Sequence, residues 1–182
     1  KNVVIGNVAR FQPAVKGQDV LYEAIAILIK KYPTIKCYFA GAPDQEHMKE
    51  YIAIKNKAKK EYPDNIFFVG NINDVVLFLS KVDLFVLPSR FEGFGLSLVE
   101  AMSMGVPCIA SKLSGPEEVL EYGKRGRLFE SGNTKELADG IDFVIQNYQQ
   151  EKKIAEENSQ YVKNKYNIDR MTQQLLGIYQ DA

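Results

Sequence analysis

Short, almost wholly apolar runs set the strongest limit on what this chain can fold into. Val3-Val4-Ile5-Gly6, Ile35–Ala40, Ile66–Val69, Leu84–Leu87 and Cys108-Ile109-Ala110 each have the length of a strand. They are too short and too apolar to leave one face in water, as a strand of an open antiparallel sheet would. Between them lie segments of helical periodicity. Val20, Leu21, Ala24, Ile25, Leu28 and Ile29 trace an apolar stripe along roughly Gln18–Lys31. Strands buried on both faces and alternating with helices make a parallel sheet covered on each side, a doubly wound α/β fold. At 182 residues the chain reads as one domain with a real core.

The first strand is expected to run to Val8 and to lead, past Arg10, into a loop through Pro13. Tyr32-Pro33 ends the first helix. Asp44 is expected to cap a polar helix from Gln45 to about Glu61, and Asn73 a short helix through Val75, Val76 and Leu79. A helix from about Gly95 to Met104 follows Leu84–Leu87. Ser114–Glu118 is read as a short helical piece and Gly126–Phe129 as the last strand. Helices over about Thr134–Asn147, Glu151–Lys165 and Asp169–Gln180 close the chain.

In such sheets a ligand sits beyond the carboxyl ends of the strands. Arg10, Lys16, Gly41, Gly70, Glu92 and Gly95 all follow strand ends, so they can meet on one rim. The stretch Pro88–Met102 is the most pointed. A buried strand passes through a glycine-containing turn into a helix, which leaves unpaired N–H groups and the positive end of the helix dipole at the rim. That is an anion site, most often for phosphate. Gly93 and Gly95 let backbone approach a phosphate, and the amides of Gly95, Leu96 and Ser97 are the first free donors. Glu92 and Glu100 bracket the position. Phe91 and Phe94 are read as packing residues.

Other classes fall away. With 23 basic and 23 acidic residues the net charge is zero, so nothing global points to nucleic acid. No run approaches the roughly 20 apolar residues of a membrane span, and no signal peptide opens the chain. Cys37 and Cys108 read as reduced core thiols, and a single histidine without Cys-x-x-Cys argues against a metal site. His47 reads as an exposed residue on a polar helix. Lys55–Lys60 reads as a solvated face, with contact to an anionic membrane as the lesser option. No Gly-x-Gly-x-x-Gly follows the first strand, which disfavours a dinucleotide-binding dehydrogenase. Starting at Lys1 rather than Met, the chain reads as a fragment.

Glu92-Gly93-Phe94-Gly95, followed after four residues by Glu100-Ala101-Met102, resembles the donor-site motif of family 4 glycosyltransferases. These are retaining enzymes of the GT-B architecture, made of two Rossmann-like domains. Arg10-Phe11-Gln12-Pro13-Ala14-Val15-Lys16-Gly17 is similar to the family's Arg…Lys-Gly pattern. The resemblance runs from Asn7 to about Leu137 and implies a C-terminal, nucleotide-sugar-binding half, with the N-terminal acceptor domain absent from this chain. It implies that Arg10 and Lys16 neutralise the leaving diphosphate, that Glu92 contacts the donor sugar and that Glu100 holds the ribose hydroxyls. The base is placed near Gly70-Asn71-Ile72. Ser114–Glu118 is similar to a segment beside the family's donor pocket, with Ser114 in place of the commoner glycine and no contact assigned.

No Asp-x-Asp pair is present, so neither metal nor cofactor is expected, and protein charge with oriented N–H groups must stabilise the leaving group. The implied partners are a UDP-, GDP- or ADP-linked sugar and a glycan or lipid-linked acceptor. The implied setting is the cytoplasm, with or without peripheral contact with the inner face of the membrane. A non-catalytic nucleotide-sugar-binding module, complete as it stands, is the alternative from another class. A GT-B epimerase or phosphorylase relative is the alternative among enzymes, though epimerases lack this form of the motif.

Overall fold

The structure, a computed structural model, describes residues 2–167 together with 172 and 176. Six parallel strands form one sheet: β1 (Val4–Val8), β2 (Lys36–Ala40), β3 (Ile66–Gly70), β4 (Leu84–Leu87), β5 (Cys108–Ser111) and β6 (Arg127–Phe129). Their order is β3-β2-β1-β4-β5-β6. The helices are α1 (Pro13–Lys16), α2 (Gln18–Ile29), α3 (Met48–Glu61), α4 (Val75–Leu79), α5 (Leu96–Ser103), α6 (Ser114–Val119), α7 (Thr134–Gln146) and α8 (Tyr148–Lys165).

Both faces of the sheet are buried, as the apolar runs require. Every residue of β4 and β5 is buried. Ile5, Leu84, Val86 and Ile109 point into one core with α2, α3 and α7. Phe85, Leu87, Cys108 and Ala110 point into the other with α4, α5, α6 and α8. Burying a side chain such as Phe85 contributes about 1.5–3 kcal/mol, so the two cores, not strand propensity, hold the sheet.

Several local expectations are corrected. Pro13–Lys16 is one turn of helix rather than loop, with proline at the first helical position, where no N–H is needed. Asp44 does not cap α3. Its Oδ1 accepts from the His47 amide at 3.0 Å in a turn that delays the helix to Met48. The cap of α4 is Asp74, not Asn73, because Asp74 Oδ1 accepts from the Leu77 amide at 2.8 Å. α8 begins at Tyr148, three residues before the expected start. The helix expected over Asp169–Gln180 lies, apart from 172 and 176, outside the described residues.

The strand order reverses direction between β1 and β4, and there the ladder is short. β1 pairs with β2 along its whole length, from Val4↔Lys36 to Val8↔Ala40. It pairs with β4 only at Ile5↔Leu84 and Gly6↔Phe85. Beyond that point the buried Asn7 side chain takes over, its Nδ2 donating to Val86 O at 3.0 Å. A side-chain bridge in place of ladder bonds lets the strands part, opening a crevice at their carboxyl ends.

The chain closes over this crevice at Gly17, which lies at φ 66° between α1 and α2. A Cβ there would stand 1.9 Å from Pro88 O at the exit of β4. Gly17→Ala is therefore expected to cost more than ~2 kcal/mol in urea denaturation. Gly132→Ala, at φ 83° with open space around it, should cost only about 1 kcal/mol.

Candidate functional site

Three connections build the rim above β1 and β4. The first leaves β1 through Ala9 and Arg10 and is anchored by the buried Phe11, whose ring meets Tyr51 edge-on at 5.0 Å. The Phe11 amide donates to Ala42 O at 3.1 Å. Gln18, at the start of α2, is buried and donates from Nε2 to Arg10 O at 2.8 Å. The Arg10 backbone is thus held while its side chain stays exposed.

The second connection is α1, which ends at Lys16. The third, from β4 to α5, is bound to it. The amides of Arg90 and Phe91 both donate to Val15 O, at 2.8 and 3.1 Å. The Arg90 guanidinium reaches back across α1. Nη1 donates to Pro13 O at 2.8 Å and Asp19 Oδ1 at 2.7 Å, and Nη2 to Asp19 Oδ2 at 2.7 Å. This planar two-toothed pairing suits arginine and not lysine. It brings Lys16 against Glu92, with Nζ 3.0 Å from Oε2. The buried Ser89 donates its Oγ to the same oxygen at 3.2 Å.

Gly95 is the N-cap of α5, in the left-handed region at φ 88°. Its carbonyl accepts from Leu98 and Val99. The amides of Gly95, Leu96 and Ser97 have no acceptor among the described residues, so they face the rim with the positive end of the helix. From behind, α6 presses on this loop. A Cβ on Gly115 would stand 2.0 Å from Gly93 O.

A cavity of about 370 Å³ results. Arg10, Lys16, Glu92, Gly93, Gly95, Leu96 and Ser97, all expected at the site, line it together. Glu100 is exposed on α5 and not part of that lining. A second cavity of about 420 Å³ adjoins through Val8, Ala9 and Arg10 and extends over β2 to Asn71, Ile72 and Asp44. Asn71 also holds its floor, since Asn71 Oδ1 accepts from the Ala42 amide at 2.9 Å. The rim is therefore one long trough, cationic and rich in N–H groups at the α5 end and lined by backbone and small side chains at the β2–β3 end.

Two side chains differ from expectation, Phe91 and His47. Phe91 is not a packing residue but 70% exposed, because its amide is bound to Val15 while its ring is left in water. Phe94 is partly exposed and meets Tyr166 edge-on at 5.4 Å. Leu96 lies outside the apolar stripe of α5 and is 71% exposed. His47 is not a bland surface residue either. Its Nδ1 lies 2.6 Å from Asp44 Oδ1 at the N-terminus of α3. That hydrogen bond raises the His47 pKa above its ordinary value. It lowers that of Asp44, with a smaller contribution from the Arg10 charge. Lys55 and Lys57 of the basic run sit over the Tyr51 and Tyr22 rings. Asp19, Gln18, Ser89, Arg90 and Asn7 escaped the sequence reading: Asn7, Arg90 and Asp19 act through partners distant along the chain, Gln18 through a backbone carbonyl eight residues away and Ser89 through Glu92 three residues on.

Known proteins match the chain in sequence and in fold. The family model described as glycosyl transferases group 1 matches residues 1–161. The chain is 30% identical to an uncharacterized glycosyltransferase of Haemophilus influenzae over 165 residues, 90% of this chain and 45% of that protein. It is similar in fold to Anabaena HepE solved with UDP, with TM-score 0.91, 26% identity and coverage of 100% of this chain and 49% of that one. HepE has also been solved with UDP-glucose. The C-terminal domain of a group 1 glycosyl transferase, LpcC, from Francisella tularensis matches with TM-score 0.82 and 28% identity, over 91% of this chain and 87% of that domain. The chain spans about half the length of the first relatives it matches.

Two expectations follow from the geometry. Arg90→Ala should lower stability by about 1–2 kcal/mol in urea denaturation, because a two-toothed, half-buried ion pair is lost, and Arg90→Lys should recover only part of it. The His47–Asp44 pair should show in a pH titration. With the His47 pKa raised, its stabilisation is complete below the ordinary histidine value of ~6.5 and fades as pH rises through the higher folded value. With that of Asp44 lowered, the pair is also lost as pH falls through the depressed carboxyl value. NMR titration should place His47 above ~6.5, and Asp44→Asn should return it toward that value.

Proposed function

Because the chain belongs to the glycosyl transferases group 1 family, we propose that it is the donor-binding half of a two-domain GT-B enzyme. That enzyme moves a sugar from a nucleoside diphosphate to an acceptor hydroxyl. The observation that carries the reading is the meeting of Arg10, Lys16 and the unpaired amides of Gly95, Leu96 and Ser97 around one cavity, with Glu92 at its wall. Two cations and a helix N-terminus form a site for a diphosphate, and the same groups stabilise the charge that grows on it as the glycosidic bond breaks.

In this proposal Lys16 and Arg10 neutralise the leaving diphosphate without a metal ion. Glu92 contacts the donor sugar, Glu100 accepts hydrogen bonds from the ribose, and the base lies in the adjoining cavity near Asn71 and Ile72. Transfer proceeds with retention, the acceptor hydroxyl approaching on the face the diphosphate leaves. A glycan or lipid-linked acceptor is bound by a second domain, which the half-length match to relatives supports. The enzyme works in the cytoplasm. No helix among the described residues is long and apolar enough to cross a membrane. A site between two domains needs both walls, so this chain alone should bind donor nucleotide weakly and transfer little.

Calorimetric titration with UDP, GDP and ADP tests the reading. One base should be preferred, and Lys16→Met and Arg10→Ala should each weaken binding about tenfold, ~1.4 kcal/mol. Glu100→Gln should weaken it several-fold through the ribose. Absence of binding by all three diphosphates would overturn the donor-site assignment.

A further inference from the structure

The Lys16 ammonium already has an anion beside it within the protein. It lies 3.0 Å from Glu92 Oε2, with the two side chains only 25% and 15% exposed. Ser89 Oγ donates to the same oxygen. The pair is not an accident of two mobile side chains. Both backbones are fixed to each other, through Val15 O accepting from Arg90 and Phe91 and through Gly17 lying against Pro88 O. The group proposed to grip the diphosphate is therefore occupied by the group proposed to grip the sugar.

We infer that Glu92 selects sugar-nucleotide over free nucleoside diphosphate by competing for Lys16. This rests on the donor-site reading above and adds to it a means of discrimination. A lysine ammonium is a compact charge with three donors on a flexible stem, so it can turn from one anion to another. When a sugar-nucleotide enters, the hydroxyls of the sugar give Glu92 new donors, and Lys16 is released to the diphosphate. A bare diphosphate offers Glu92 no donor. Lys16 must then be drawn from a partner that keeps only the Ser89 hydroxyl as donor, at a cost that a half-buried pair makes appreciable. Substrate is held and the departing product is loosened by the same side chain.

The test is a double-mutant cycle on the purified chain, read by calorimetry with whichever of UDP, GDP or ADP binds tightest, thermal melts confirming that all four proteins fold. Glu92→Gln should bind that diphosphate at least fivefold more tightly than the unaltered chain. In the Lys16→Met background the same change should gain less than twofold, because nothing remains to compete for. An unchanged or weaker affinity in Glu92→Gln overturns the inference. So does an equal gain with and without Lys16, which marks simple repulsion between carboxylate and phosphate. If the unaltered chain binds none of the three diphosphates, the donor-site reading fails and this inference with it. Binding by the unaltered chain without the Glu92 effect removes this inference alone.

Discussion

The carbonyl oxygen of Val15 accepts two amides, those of Arg90 and Phe91, and through them a one-turn helix is bound to the loop that leaves the central strand. Without that junction, Lys16 and Glu92 would stand on separate loops more than seventy residues apart in the chain. Each loop would then be free to present its charge elsewhere. Arg90 repeats the connection with its side chain, holding Asp19 with both nitrogens and the Pro13 carbonyl with one. Backbone and side chain thus do the same work twice, and glycine at position 17 allows the close approach that both require.

The crevice itself comes from an incomplete ladder. Two parallel strands that diverge must leave backbone groups unpaired, which is costly unless something else meets them. Asn7 bridges the gap to Val86 where β1 and β4 part. Because strand order reverses there, the connections from β1 and β4 turn to opposite faces of the sheet and leave room between them. The trough above β1 and β4 is a consequence of topology. Its chemistry comes from residues just past the strand ends, where side chains are released from packing but their backbones are not yet free.

The alternation of apolar runs with periodic helices was legible because burial on both faces of a sheet leaves a period-independent pattern that no loop shares. Glu92-Gly93-Phe94-Gly95 was legible because a helix that begins just past a strand end has a local signature. Phe91 was misread for a reason of the same kind. Large apolar side chains normally signal core, and local pattern does not tell that this one points away from it. Caps were the weakest readings, since Asn73 and Asp74, or Asp44 and His47, differ by the direction of one hydrogen bond.

The order of residues alone thus determined the sheet class, its buried strands and the glycine turn into a helix at Gly93–Ser97. Each follows from contacts among near neighbours, or from hydrophobicity that needs no partner to be named. Only the tertiary structure decided that Lys16 faces Glu92, that Arg90 holds Asp19 and that Gly115 supports Gly93. Those are meetings between segments far apart along the chain, and their geometry is set by how helices pack on the sheet. A charge pattern along one strand of sequence carries no record of that.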